Sequence, residues 1–288
     1  MADNKIKQLY RFLSPRFQSV FLDYKVNTTP RYGHGKASHP MLKSIIENEH
    51  HQYEILIDSF LNNKSAIQNF KKQNEESDEN LPTWNNNFLP GLDIIALYSM
   101  IGHFKPKKYI EIGSGNSTKV VRKAIQDFGT NTKVSSIDPY PRAQIDHLAD
   151  VVIRQPFEDV KDIQFIIDEL DENDILFIDN SHRSFTNSDA TIFFLEILPY
   201  LKKGVIVQVH DIYIPDDYPD FMAKRFYNEQ YVLAAFILVN PAKFRPIFPC
   251  WYVSQTPNLA SKIAPIFEHK NLNGVERHGG SFWLKIDA

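Results

Sequence analysis

Cysteine is all but missing from this sequence of 288 residues: Cys250 stands alone, so no intrachain disulfide can form and packing must hold the fold together. Long apolar runs are missing too. The longest, Tyr231 to Val239, falls far short of the roughly 20 residues that cross a bilayer, so it reads as a buried helix or strand and no membrane partner is expected. There is no dense stripe of basic residues. With 32 Lys and Arg against 35 Asp and Glu, the chain lacks the electrostatic footprint of a nucleic-acid binder, and a small-molecule partner is expected instead. The opening residues Met1-Ala2-Asp3-Asn4-Lys5 lack the apolar core of a signal peptide, which makes the cytoplasm the expected compartment. No internal repeat of the solenoid or propeller kind is present.

What is present is ordinary globular material, 43% hydrophobic and 23% charged, enough for one large core with an added subdomain. From Lys5 to Asp23 apolar residues recur three or four apart, predicting an amphipathic helix bent at Pro15. Leu42, Ile45, Ile46, Tyr53, Leu56, Ile57, Phe60 and Leu61 make one apolar face of a second helix that needs something to pack on. Between the two lies Arg31-Tyr32-Gly33-His34-Gly35-Lys36, a glycine-bearing loop that could cover a ligand as a lid or simply join two helices. The polar run Lys71 to Asn80 marks a solvated boundary. Residues 1–80 are therefore expected to form an N-terminal helical extension or lid, and residues 81–288 the main domain.

Beyond Pro82 short apolar runs alternate with helix-length segments, the pattern of an α/β, doubly wound, mostly parallel sheet. The predicted strands are Lys108–Ile112, Lys133–Asp138, Val151–Arg154, Asp174–Asp179 and Gly204–His210, with two more at Phe244–Phe248 and Ser281–Ile286. Helices are predicted near Thr118–Phe128, Ile163–Leu170, Ala190–Leu201, Phe221–Ile237 and Pro257–Phe267.

Ligands of such sheets bind beyond the carboxyl ends of the strands. The first strand delivers Glu111-Ile112-Gly113-Ser114-Gly115-Asn116-Ser117-Thr118, an acid followed by a two-glycine turn and a helix start. This turn begins like a dinucleotide fingerprint, yet Thr118 replaces the third glycine and Glu111 would oppose a pyrophosphate. An NAD-dependent oxidoreductase is disfavoured on both counts. The same residues could serve the fold alone, the glycines as a plain turn and Asp138 as a cap.

Taken together, Glu111-x-Gly113-x-Gly115-x-Ser117 and an acid ending the next strand, Asp138, resemble the first motifs of class I S-adenosylmethionine-dependent methyltransferases, over roughly residues 84–286. The resemblance implies a Rossmann-like seven-stranded sheet. It implies that S-adenosylmethionine meets Glu111, Gly113, Ser114, Gly115 and Ser117, that Asp138 holds the ribose, and that Phe157 and Glu158 lie at the adenine. Asp93, ahead of the first strand, is a further candidate contact.

The fourth and fifth strands end in Asp179-Asn180-Ser181-His182 and His210-Asp211, a pairing similar to the small-molecule O-methyltransferase branch, including sugar- and cephalosporin-modifying enzymes of the Methyltransferase 24 type. Two devices for removing the acceptor proton follow. His182 could be the general base, with Asp179 beside it as a catalytic and cofactor-binding residue. Alternatively Asp179, His210 and Asp211 could hold a divalent metal such as Mg²⁺, as the resemblance to catechol-type enzymes implies. The bland reading makes the aspartates caps and His210 a core filler. His50 and His51, adjacent on a helix, point apart and form no metal pair. A noncatalytic S-adenosylmethionine- or partner-binding protein stays open, as does pairing of the N-terminal helices into a homo-oligomer.

Overall fold

The computed structural model describes residues 5–288. In chain order the elements are α1 Lys5–Leu13, α2 Pro40–Glu47, α3 His50–Asn62, α4 Lys64–Gln68, α5 Gly91–Phe104, β1 Lys108–Ile112, α6 Asn116–Phe128, β2 Lys133–Ile137, β3 Val151–Ile153, α7 Gln164–Glu169, β4 Ile175–Ile178, α8 Asp189–Ile192, β5 Ile206–Val209, α9 Asp220–Ala223, α10 Glu229–Val239, β6 Phe244–Pro249, α11 Cys250–Gln255, α12 Pro257–Phe267 and β7 Phe282–Ile286. The strands form one sheet in the order β3-β2-β1-β4-β5-β7-β6. The first five are parallel; β7 runs antiparallel against both β5 and β6. The expected Rossmann-like α/β sheet is present with all seven strands.

Its central strands are apolar without alternation because both faces are covered. Every residue of β4 (Ile175-Leu176-Phe177-Ile178) and β5 (Ile206-Val207-Gln208-Val209) is buried. In α6 one stripe, Ser117, Thr118, Val120, Val121, Ala124 and Ile125, is buried, and Gly129 closes the helix in the left-handed conformation that a residue without Cβ accepts readily. Strand order reverses between β1 and β4, so their carboxyl ends flank the crevice where ligands of open α/β sheets bind.

Several predicted helices are shorter or divided. The first stops at Leu13, just ahead of Pro15, rather than bending through it. The apolar face over 41–61 is shared by α2 and α3, which part at Asn48-Glu49. The stretch 190–201 is α-helical only to Ile192, continues as a π-turn over Phe193–Ile197, and ends in a 3₁₀ turn holding Pro199, which has no N–H for another α turn. The stretch 221–237 divides into α9 and α10 around Phe226, whose φ of 58° cannot continue a right-handed helix.

Helices α2 to α4 do not form a core of their own: Leu42, Tyr53, Phe60 and Ile67 belong to the same buried cluster as the sheet. Phe60 packs edge-on against Phe248 of β6 at 5.0 Å, and Arg245 of the same strand pairs with Glu49 at 3.1 Å and with Asp287. By contrast, Leu13 and Phe21 remain 69% and 80% exposed. No helix among the described residues is long and apolar enough to cross a membrane.

Because Phe60 is wholly buried against the sheet edge, Phe60→Ala should cost about 3–5 kcal/mol and lower one unfolding transition common to helix and sheet signals. Two separated transitions in denaturant titrations followed by circular dichroism and tryptophan fluorescence would mean that the N-terminal helices fold independently.

Candidate functional site

The glycine turn after β1 is shaped by a close crossing. Gly113 has φ 81°, and a Cβ there would overlap the carbonyl oxygen of Asp179. Backbone bonds lock the same crossing: Gly113 donates to Ile137 at 2.9 Å, and Asp179 donates to Ile112 at 2.8 Å. Only glycine satisfies both the torsion and the clearance. Behind the turn, the fully buried Glu111 carboxylate accepts hydroxyl bonds from Thr118, from Ser117 at 3.0 Å and from Tyr109 at 3.4 Å, and Thr118 in turn accepts the Gly115 N–H at 3.2 Å. Burial pushes the Glu111 carboxyl up to about 8 against the pull of those hydroxyls. Glu111 and Ser117 thus brace the turn from inside and line neither of the cavities described below.

Of the remaining expected cofactor residues, all but Gly115 gather at one hollow. A cavity of about 320 Å³ beyond β1, β2 and β4 is lined by Gly113, Ser114, Asp138, Phe157, Glu158 and Asp179, among others. Asp138 is held rigidly there: one carboxylate oxygen accepts the Ser114 N–H at 2.8 Å and the other accepts the Tyr140 N–H at 2.7 Å. Asp138, Glu158, Asp179 and Asp189 face this hollow with Arg142 as its one cation. Such a lining repels a pyrophosphate and suits a ligand that carries positive charge.

A second cavity, of about 860 Å³, adjoins the first and shares Arg142 and Asp179 with it. Aromatic rings of Phe88, Tyr213, Phe221, Tyr227 and Trp251 line it, and His182, His210 and Asp211 stand beside Asp179. The loop 31–39 contributes His34 to the wall and is tied down on Asp217, which accepts the N–H groups of Arg31 at 2.5 Å and Tyr32 at 2.9 Å.

Both histidines are buried, and each has one nitrogen on a buried carboxylate. His182, at φ 62°, is 2.6 Å from Glu229 through Nδ1 and stacks on Tyr227; its Nε2 lies 3.5 Å from Asp179 and 3.4 Å from Asp211. His210 is 3.2 Å from Asp93 through Nε2, while its Nδ1 has no hydrogen-bond partner and faces Asp211 at 3.5 Å and Asp179 at 3.7 Å. Burial alone would lower both imidazoles. For His182 the charges of Glu229, Asp211 and Asp179 outweigh it, and for His210 those of Asp211, Asp179 and Asp93 do, pushing His210 up to about 10.

Asp179, His210 and Asp211 do meet, but as an imidazolium among carboxylates. Among the described residues no group of three or more His, Cys, Asp or Glu side chains is arranged to hold a metal ion, so the divalent alternative gains no support. Asp93, the further candidate contact, lines neither cavity. It is buried under His210 and accepts the N–H groups of Gly280 at 2.8 Å and Ser281 at 2.9 Å. Sequence reasoning missed Glu229, Tyr227 and Arg142, which lie in segments with no recognisable motif.

Residues 110–212 match the family model of a methyltransferase domain, a stretch that holds the glycine turn and both histidines. An uncharacterised protein of Archaeoglobus fulgidus is 31% identical over 113 residues, 37% of this chain and 48% of that protein. The match thus spans about half of that relative's length. Among solved structures, an S-adenosylhomocysteine-bound methyltransferase of Podospora anserina aligns over 80% of this chain and 88% of its own, with 14% identity and a TM-score of 0.42.

The Glu111 brace has a pH signature. A carboxyl raised from 4.5 to about 8 by folding binds its proton more tightly in the native state, so its contribution is full below about pH 4.5 and is lost as pH rises to about 8. The stability of wild type relative to Glu111→Gln should fall across that window. Urea titrations at a series of pH values check this, and parallel profiles would contradict the buried, protonated carboxyl.

Proposed function

We propose that this chain, whose residues 110–212 match the family model of a methyltransferase domain, is a class I, S-adenosylmethionine-dependent methyltransferase that transfers a methyl group to an oxygen of a small-molecule acceptor, a sugar or natural-product hydroxyl or carboxyl. One observation carries the reading: the small acid-lined cavity and the large aromatic-walled one meet at Asp179, with His182 beside the seam. A donor in the first cavity and an acceptor in the second would face each other across that carboxylate.

The cofactor, when bound, supplies a methyl group on a sulfonium, and its lack of phosphate agrees with the acidic lining of the smaller cavity. Asp138 is suited to the ribose hydroxyls, since two backbone N–H groups and the Ser114 hydroxyl orient its carboxylate and Oδ1, which takes only the Tyr140 N–H, keeps a free lone pair. Gly113 and Ser114 give a close backbone approach, and Phe157 and Glu158 flank the far end. Asp179 brings negative charge to the place where the donor is cationic. On the acceptor side the rings of Tyr213, Tyr227 and Trp251 provide apolar walls, and the orientation they impose is the main source of rate for a reaction whose leaving group departs easily. His182 Nε2 takes the acceptor proton as the oxygen attacks. His210, charged at neutral pH, offsets the two aspartates. Of the two devices expected, this reading takes the base at His182, and of the two roles open to residues 31–36, lid or plain connection, it takes the first, with His34 part of the acceptor wall.

The base must be neutral to act. The carboxylates around His182 raise its pKa above the ordinary 6.5, so turnover should climb with pH through a midpoint above that value. His182→Ala should lower turnover about 10²- to 10⁴-fold with S-adenosylhomocysteine affinity unchanged. Asp138→Ala should do the reverse, weakening that affinity at least about tenfold through loss of a charge-assisted hydrogen bond. Calorimetry and radiolabelled methyl transfer over a panel of hydroxylated acceptors measure both. If Asp138→Ala binds as well as wild type, the ribose assignment fails; a catalytically unaffected His182→Ala removes the base.

A further inference from the structure

The loop carrying His182 is bolted to the start of α10 at three points. The backbone N–H of Asn228 donates to the His182 carbonyl at 3.1 Å, the Asn228 side-chain oxygen accepts the Ser184 N–H at 2.7 Å, and Glu229 meets His182 Nδ1 at 2.6 Å. Both members of the last pair are buried, Glu229 completely. From the other side, the Asn180 side chain accepts the His182 N–H at 2.8 Å, which supports the left-handed backbone at this residue. One face of the ring is covered as well: Tyr227 stacks on it with centroids 4.6 Å apart, and Arg183 and Arg225 lie over the Tyr227 ring at 4.9 and 4.7 Å. So many restraints on one imidazole leave it a single direction in which to present its second nitrogen.

We propose that Glu229 is a positioning residue: it accepts the Nδ1 proton of His182 and so fixes the neutral imidazole in the tautomer whose Nε2 lone pair faces the acceptor cavity. This rests on the reading of His182 as the base. A neutral imidazole has one donor and one acceptor nitrogen, and the partner of one decides the role of the other. Burial raises the Glu229 carboxyl and His182 pulls it back down; once ionised, a carboxylate can only accept, and the proton then belongs on Nδ1. Nε2, which faces Asp179 and Asp211, is then left as the acceptor in the neutral ring and carries the transferred proton in the charged one. Those two aspartates stabilise the imidazolium, and Glu229 stabilises it from behind. The other charged or titratable groups facing the pair are Tyr218 and Asp189 near Glu229, and Tyr227 with its two arginines. An ion pair serving the fold alone would hold α10 in place without requiring either tautomer.

Long-range proton–nitrogen correlation NMR on the full-length protein labelled with ¹⁵N-histidine separates the two, with His182→Gln to assign the signal. In wild type the neutral His182 should carry its proton on Nδ1, and in Glu229→Gln its titration midpoint should fall by about one unit or more as the adjacent charge is lost. A proton on Nε2 in wild type, or an unchanged midpoint in a folded Glu229→Gln protein, would overturn the proposal. Should Glu229→Gln not fold, the wild-type tautomer alone decides. S-adenosylhomocysteine calorimetry on the same samples reports separately on the proposed function: wild type that fails to bind sinks the methyltransferase reading, whatever the tautomer.

Discussion

The site depends on one close crossing, where the backbone of residue 113 passes the carbonyl of Asp179. Because Gly113 brings no Cβ to that point, the ends of β1 and β4 can lie edge to edge. That contact opens the crevice at the strand-order reversal and sets Asp179 between the two cavities. Glu111 serves the same end from below. Its carboxyl gathers the hydroxyls of Ser117 and Thr118, and Thr118 holds the N–H of Gly115. The first turn of α6 is thereby anchored to the strand that precedes it, and the backbone facing the smaller cavity keeps its shape.

Electrostatics divides the two cavities as clearly as geometry does. The smaller is lined by four carboxylates and one arginine. At the seam two imidazoles, each backed by a buried carboxylate, turn their other nitrogens toward the same pair of aspartates. The two are not equivalent. His210 is held by Asp93 beneath it and pushed up to about 10, so it is a standing positive charge. His182 is raised as well, by Glu229, Asp211 and Asp179 against its burial, but its loop, its ring stack and Glu229 restrain it from three sides, with Nε2 turned to the acceptor cavity. One imidazole is thus suited to balance charge and the other to exchange a proton.

Much of the sheet was legible in the sequence because parallel strands covered on both faces must be short continuous apolar runs. β4 and β5 stand out for that reason, and the acids and histidines just beyond them mark the strand ends. The helices were harder. α5 is buried on nearly every side from Gly91 to Ile101, so it shows no amphipathic stripe to mark it. The division between α9 and α10 depends on a left-handed Phe226, a residue type that carries no turn signal. Glu229 was invisible for a related reason: an acid in the first turn of a helix reads as a favourable cap. Its partner lies 47 positions away in sequence, and only the packing of α10 against the loop after β4 brings them together. The metal alternative followed the strand-end residues Asp179, His210 and Asp211 and their resemblance to catechol-type enzymes, without the Asp93 that occupies the far side of His210.

The central claim is the division of labour between two cavities that meet at Asp179, and a crystal structure of the protein with S-adenosylhomocysteine tests it most directly. The account predicts the ribose hydroxyls on Asp138, the adenine beside Phe157, and the sulfur at the seam next to Asp179, with the aromatic-walled cavity left free. A ligand seated among Tyr213, Tyr227 and Trp251 instead, or turned away from Asp138, would contradict it.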